Sequence, residues 1–187
     1  MADVLLEKLN TLRGKALCNA QEVGDLIAVA GSMAELYLRL LNDSCREDHP
    51  VLTHLLQYET AEHIQHEGLS NHMIVCAYLL ASHRRVDDCR LIFDAKMANF
   101  STFLGLSDIL LVGAGVEETI CFLRQQESSR RWFVRSLFCS ETPANKSARL
   151  AEAALYHIKK AVKENRFVAL EEKFVELKRF CMKSLTH

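Results

Sequence analysis

Proline and glycine are scarce in this sequence, with two prolines and seven glycines among 187 residues. Such a composition excludes a collagen-like chain and argues against a linker-rich or disordered one. Neither sign of charge predominates, because 23 Lys and Arg residues stand against 24 Asp and Glu residues. A net charge of −1 gives no overall electrostatic reason to bind nucleic acid or a membrane surface. The length and the 49% hydrophobic content are instead typical of a globular chain with a substantial core.

Long hydrophobic runs are missing as well. The longest mostly apolar stretches, Leu26–Ala34 and Met73–Ala81, have nine residues each, about half the length that a bilayer requires. The segment Met1–Lys8 contains acidic residues and lacks the basic start and apolar centre of a signal peptide. We therefore expect no membrane partner.

The seven cysteines form no Cys-x-x-Cys motif and are widely separated in the chain. Several lie among apolar neighbours, as Cys76 and Cys121 do. An odd number in such surroundings favours reduced thiols that pack as small hydrophobic groups over a disulfide framework. This pattern predicts a cytoplasmic or nuclear protein.

Hydrophobic periodicity is helical along most of the chain. Asn19, Ser32 and Ser70 stand where helices would begin, and Gly31 marks a break between two of them. No segment shows the sustained alternation of a strand, so we predict an all-α fold. We expect one helical domain over residues 1–187, with N-terminal helices over 1–48, hairpin repeats over 49–139 and a basic helical pair over 140–187.

Two segments of the chain are similar at an offset of 30 residues. Each contains an apolar helix, a short turn, an apolar residue, two acids, a small residue and further apolar positions. The paired acids, Asp87-Asp88 and Glu117-Glu118, would lie in the first turn of the second helix, where the helix dipole favours negative charge. The small residue after them lets the two helices of a hairpin approach closely. The two segments are Ala77–Asp94 and Ser107–Arg124.

Within this pattern, Arg85–Asp94 resembles the turn and second helix of a pentatricopeptide unit. Residues 71–126 as a whole resemble two hairpins of the tetratricopeptide and pentatricopeptide class. The resemblance implies a short α-solenoid, an array of helical-hairpin repeats with a groove that binds proteins or peptides. Pentatricopeptide proteins also read single-stranded RNA through a polar side chain early in each first helix. The corresponding positions here are Val75 and Gly105, whose side chains cannot hydrogen-bond a base, so only the shape is carried over.

The first helices of the two units, Met73–Leu80 and Thr102–Leu111, would line this groove. We expect a non-catalytic interaction or scaffold module that holds another protein or a peptide there. The side chains expected to contact the partner are Met73, Ala77, Leu80, Phe103, Leu106 and Leu110.

Charge is unevenly distributed and suggests an alternative function. Residues 1–70 carry five Lys and Arg against eleven Asp and Glu, whereas residues 141–187 carry ten against six. Cations interleaved with an aromatic ring are typical of surfaces that stack nucleic-acid bases, which makes RNA binding the alternative. The simpler interpretation is a core tryptophan flanked by solvated arginines. The residues that would contact RNA are Arg130, Arg131, Trp132 and Arg135.

Six of the eight histidines fall within residues 49–83. Glu59 and His63, like Glu62 and His66, share a helix face at i,i+4 spacing and offer metal-ligand atoms. No His-Glu-x-x-His or di-iron pattern accompanies them, and a solvated Glu–His face is the simpler interpretation. The sequence also lacks a phosphate-binding glycine loop and a nucleophile elbow. We therefore expect no metal, no cofactor and no catalysis.

Overall fold

The computed structural model describes residues 2–13, 15, 18–134 and 143–185 of the chain. All regular structure in these segments is helical and none of it is strand, as the periodicity predicts. Two short 3₁₀ helices, Arg46–Asp48 and Asp108–Val112, occur between the α-helices. The α-helices are α1 Ala2–Arg13, α2 Ala20–Ala30, α3 Met33–Asp43, α4 His49–Gln65, α5 Asn71–Ser82, α6 Asp88–Lys96, α7 Phe100–Gly105, α8 Val116–Val134, α9 Pro143–Lys163 and α10 Leu170–Ser184.

Polar caps fix where the N-terminal helices begin. The Asn19 side chain accepts a hydrogen bond from the backbone N–H of Glu22, whose carboxylate accepts one from the Asn19 N–H. Ser32 caps α3 by accepting a hydrogen bond from the N–H of Glu35. Between these caps, Gly31 ends α2 at φ +80°, a left-handed conformation that glycine adopts without a Cβ clash. The predicted break near Gly31 and the two helix starts are confirmed.

Helix α5 lies at the centre of the fold. Its sequence is apolar around the full circumference, and every residue from Val75 to Ala81 is buried. It packs against α3, α4, α6, α10 and the 3₁₀ helix Asp108–Val112. A helix without a polar face needs such surroundings, because each of its faces has to be covered by an apolar neighbour.

The hydrophobic core extends from Leu5 in α1 to Leu185 after α10. Helix α9 packs mainly on α8 and α6, whereas α10 packs on α5. The two C-terminal helices, expected as a pair, therefore cover different parts of the core. Across the described segments, no helix combines the length and the hydrophobicity needed to cross a bilayer.

The two repeat units differ in their first helix. In the first unit, α5 runs without a break over Asn71–Ser82. In the second unit, α7 ends at Gly105, the next two residues are extended, and the chain resumes as the 3₁₀ helix Asp108–Val112. The prediction of a single helix over Thr102–Leu111 is therefore wrong, and the equivalence of the two units is not confirmed.

The interruption lets the second unit pack closely onto α5. A Cβ added to Gly113, in the turn after the 3₁₀ helix, would lie only 2.3 Å from the carbonyl oxygen of Ala81. The four consecutive residues 109–112 are all buried, although a helix lying on the surface would turn at least one of them to solvent. Close packing onto α5, without an intervening side chain at Gly113, accounts for the departure from the repeat pattern.

Candidate protein-docking surface

The groove expected along α5 is closed in this structure. Met73, Ala77 and Leu80 are fully buried, and Leu106 and Leu110 are nearly so. Helix α10 and the 3₁₀ helix Asp108–Val112 cover faces of α5 that a solenoid would leave open. The expectation that these five side chains contact a partner is corrected, because they belong to the core.

Phe103, the sixth predicted contact residue, belongs to an exposed apolar cluster. Around α7, Phe100 is 76% exposed, Leu104 66%, Met97 49% and Phe103 37%. Phe103 and Leu104 follow Phe100 by three and four residues, so the three side chains share one side of the helix. We call these four residues the α7 surface. Single exposed apolar residues are ordinary, but a cluster on one short segment is typical of a binding surface.

Asn99 fixes the start of α7 and attaches it to the end of α4. Its side-chain oxygen accepts a hydrogen bond from the N–H of Thr102 at 2.8 Å. Its amide nitrogen lies within hydrogen-bond distance of the carbonyl oxygens of His63, His66 and Gly68, at 2.9 to 3.2 Å. One side chain therefore caps α7 and holds it against the residues that end α4.

Lys96 fixes the other end of α7. Its buried ammonium donates hydrogen bonds to the carbonyl oxygens of Phe103 at 2.6 Å and Leu106 at 2.5 Å. Carbonyls at the C-terminal end of a helix have no helical N–H partner, so a cation is well placed there. The Thr102 hydroxyl donates in turn to the Lys96 carbonyl at 3.1 Å. The backbone of α7 is thus held at both ends while its apolar side chains face solvent.

Asp108 neutralises this buried cation and also contacts the side chains of His157 and Arg166. Its Oδ1 lies 3.2 Å from Lys96 Nζ and 2.6 Å from His157 Nε2. Its Oδ2 accepts a hydrogen bond from Arg166 Nη1 at 2.5 Å. The His157 ring also packs edge-on against Phe103, with ring centres 5.9 Å apart. These contacts connect the α7 surface to α9 and to the turn that follows α9.

Burial and charge act in opposite directions on the pKa values of this network. Desolvation, the largest influence, lowers the pKa of Lys96, and the nearby Asp108 carboxylate only partly opposes it. Burial alone would raise the pKa of Asp108. The hydrogen bond from His157, the charge of Lys96 and the hydrogen bond from Arg166 outweigh burial, so the pKa of Asp108 is lowered. Asp108 is therefore a carboxylate at neutral pH and can accept from all three donors.

Asn99, Lys96 and Asp108 are not among the residues predicted from the sequence. The spacing of Asn99 and Thr102 is that of a helix cap and would have placed a helix start at Phe100. Lys96 and Asp108 give no comparable local signal, because the burial of an ion pair depends on how distant helices pack.

The predicted nucleic-acid contacts cannot be placed on this surface. Helix α8 includes Arg130, Arg131 and Trp132 in its backbone. Their side chains and the whole of Arg135 lie outside the described residues. RNA binding therefore stays a prediction from the sequence.

The histidine-rich segment contributes to separate hydrogen-bond networks within the fold. His63 accepts a hydrogen bond at Nε2 from the N–H of Ser70 and donates from Nδ1 to the Glu59 carbonyl at 2.7 Å. His49 lies in another network, with its Nε2 2.7 Å from Asp88 Oδ1. Among the residues that the structure describes, no three ligating side chains are grouped to hold a metal ion. These imidazoles connect helix ends and loops.

Three buried thiols are poor nucleophiles. Burial raises the pKa of Cys89 and of Cys181 to about 12, and it raises the pKa of Cys76 as well. The Cys76 thiol donates to the carbonyl oxygen of Leu52 at 3.2 Å. Because the thiolate is the reactive form, these three cysteines act at neutral pH as small packing groups.

Comparisons with known proteins give no match: no family model fits the sequence, no curated protein is significantly similar, and no solved structure is significantly similar. Function is therefore inferred from the residues of this chain.

Proposed function

We propose that the protein is a non-catalytic interaction module that binds another protein through the α7 surface. The observation that carries the proposal is the combination of exposed apolar side chains with a buried polar anchor beneath them. Phe100 and Leu104 are largely exposed, whereas Asn99 and Lys96 hold the backbone between them in place.

The anchor supports binding because it fixes the shape of the surface in advance. A helix of six residues is too short to be stable alone, since nucleation is unfavourable. Two hydrogen bonds compensate for this in α7: Asn99 accepts one from the Thr102 N–H at the start of the helix, and Lys96 donates one to the Leu106 carbonyl at its end. A partner would meet a preformed helix and would lose little affinity to ordering it.

The apolar side chains supply the attraction. Covering an exposed Phe or Leu side chain contributes roughly 1.5–3 kcal/mol. Aromatic residues are also enriched at the centres of protein interfaces, where neighbouring side chains exclude water. Phe100 would be the central residue, with Leu104, Phe103 and Met97 around it.

The test compares two charge substitutions on the α7 surface with a matched control. Phe100→Asp and Leu104→Asp each place a carboxylate on an exposed apolar position. Val175→Asp makes the same change on α10, where Val175 is 50% exposed. Cross-linking and affinity purification with each form would identify bound proteins, and the affinity of each bound protein would then be measured with purified components.

We expect partners that bind the wild type and Val175→Asp but are lost from both α7 variants. Affinity for such a partner should fall at least about tenfold in each α7 variant. Circular dichroism should show that all four forms keep the same helical content. If the bound proteins and their affinities are the same in all four forms, the α7 surface is not the docking site.

A further inference from the structure

A second feature of the molecule is a cavity of about 510 Å³ at the start of α4. The end of α1, the 3₁₀ helix Arg46–Asp48, the first turns of α4 and the loop before α6 form its walls. Glu47 is the one acidic residue in its described lining. The basic lining residues are Arg13, Lys15, Arg46, Arg85, His49 and His54.

The cations of this lining can be released to a ligand. Lys15 pairs with the partly exposed Glu22, and Arg85 pairs with Asp87 between two exposed side chains. Such surface pairs are weak, and a competing anion can displace the carboxylate. Arg46 makes no salt bridge within the part of the chain that the structure describes. Three cationic side chains from three separate segments are therefore available to one ligand.

Helix α4 adds the positive end of its dipole to these charges. Asp48 occupies the cap position, but its carboxylate accepts from Arg13 Nε at 2.7 Å and from the Cys45 N–H at 2.9 Å, so it does not cap the helix. Pro50 in the first turn has no N–H to donate. Thr53 also lines the cavity, and its buried hydroxyl has no hydrogen-bond partner among the described residues. The Asp48 carboxylate already places one negative charge at this helix start, so the helix dipole adds only modestly to the attraction that the basic lining exerts on an anion.

We propose that this cavity binds a small phosphorylated molecule whose phosphate groups contact Lys15, Arg46 and Arg85 at the start of α4. Guanidinium groups match phosphate oxygens in pairs, and a helix N-terminus favours the same ligand. The cavity volume lies within the range of roughly 300–1,000 Å³ found for small-molecule sites, so it exceeds the needs of a single inorganic ion. The ligand class is therefore a phosphorylated metabolite carrying an organic group.

The test uses inorganic pyrophosphate as the probe and isothermal titration calorimetry on the full chain at low salt. Arg46→Gln and Lys15→Gln each remove one cation from the lining. Lys178→Gln removes an exposed cation from α10 and is the matched control. A parallel titration with adenosine triphosphate tests whether an added organic group strengthens binding.

We expect wild-type binding that Arg46→Gln and Lys15→Gln each weaken by about tenfold, as the loss of one charged hydrogen bond requires. Lys178→Gln should bind like the wild type. Absence of binding by the wild type would overturn the proposal, and so would equal weakening in all three variants, which indicates diffuse charge attraction. Retention on vesicles containing phosphoinositide lipids, without pyrophosphate binding in solution, would also overturn it, since the source would then be a lipid headgroup.

Discussion

Lys96 is the residue whose replacement tests the support of the α7 surface most directly. In Lys96→Met the apolar stem is kept and the ammonium group is lost. The carbonyl oxygens of Phe103 and Leu106 and the carboxylate of Asp108 then lose one donor each. Because the side chains of Lys96 and Asp108 are only 4% and 9% exposed, water cannot readily replace that donor.

We expect Lys96→Met to lower the free energy of unfolding by about 3 kcal/mol. Removing one partner of a buried ion pair costs roughly 3–5 kcal/mol, and a buried carbonyl left without its donor costs roughly 1–3 kcal/mol. Two effects reduce the total. Asp108 keeps its contacts with His157 and Arg166, and the desolvation penalty of the Lys96 ammonium disappears.

The assay is urea-induced unfolding followed by helical circular dichroism at neutral pH. Lys160→Met is the matched control, because Lys160 forms an exposed pair with Glu164 on the surface of α9. An exposed pair of this kind contributes less than about 1 kcal/mol. Amide hydrogen exchange should also become faster in α7 when Lys96 is replaced. A Lys96→Met protein within about 1 kcal/mol of the wild type, with unchanged exchange in α7, would refute the anchoring role.

Two further predictions concern close packing and pH. Gly113→Ala should destabilise the fold by roughly 1–3 kcal/mol, because the added Cβ would collide with Ala81. Gly24→Ala in α2 is the control: its Cβ meets no atom, and it should stabilise the fold by about 0.5–1 kcal/mol. Equal melting temperatures of the two variants would contradict this. Burial, followed by the charge of His49, lowers the pKa of His83. The folded state therefore disfavours protonation of this imidazole, whereas the unfolded chain protonates it at about pH 6.5. The free energy of unfolding should therefore decrease as pH falls from about 6.5 toward the lower pKa of the folded state. Urea unfolding of His83→Gln at the same pH values should show a smaller decrease. A decrease as large as that of the wild type would exclude His83 as its source.

The starts of the helices could be predicted because their causes are local. Asn19, Ser32 and Ser70 each accept a hydrogen bond from the N–H of the third residue of the following helix, so neighbouring residues alone define the cap. The all-helical class followed from the periodicity for the same reason, since the pattern of apolar residues is read within one helix.

The groove could not be predicted correctly because burial is not a local property. The apolar circumference of α5 indicates that something covers every face, but it does not identify the covering helices. The repeat interpretation left one face of α5 open to a partner, whereas α10 and the 3₁₀ helix Asp108–Val112 cover it. Of the six predicted contact residues, only Phe103 lies in the α7 surface. The exposure of Phe100 and Leu104 was not predicted, because α7 was expected to continue as one helix beyond Gly105.

The central position of α5 has a consequence for synthesis of the protein on the ribosome. Helices α3 and α4 precede α5 in the chain, but α10 follows it by most of the remaining sequence. At translation rates of roughly 5–20 residues per second, α5 would wait on the order of ten seconds before that last helix emerges. During this interval a helix that is apolar around its circumference is only partly enclosed, so we expect the nascent chain to bind chaperones that recognise exposed hydrophobic segments.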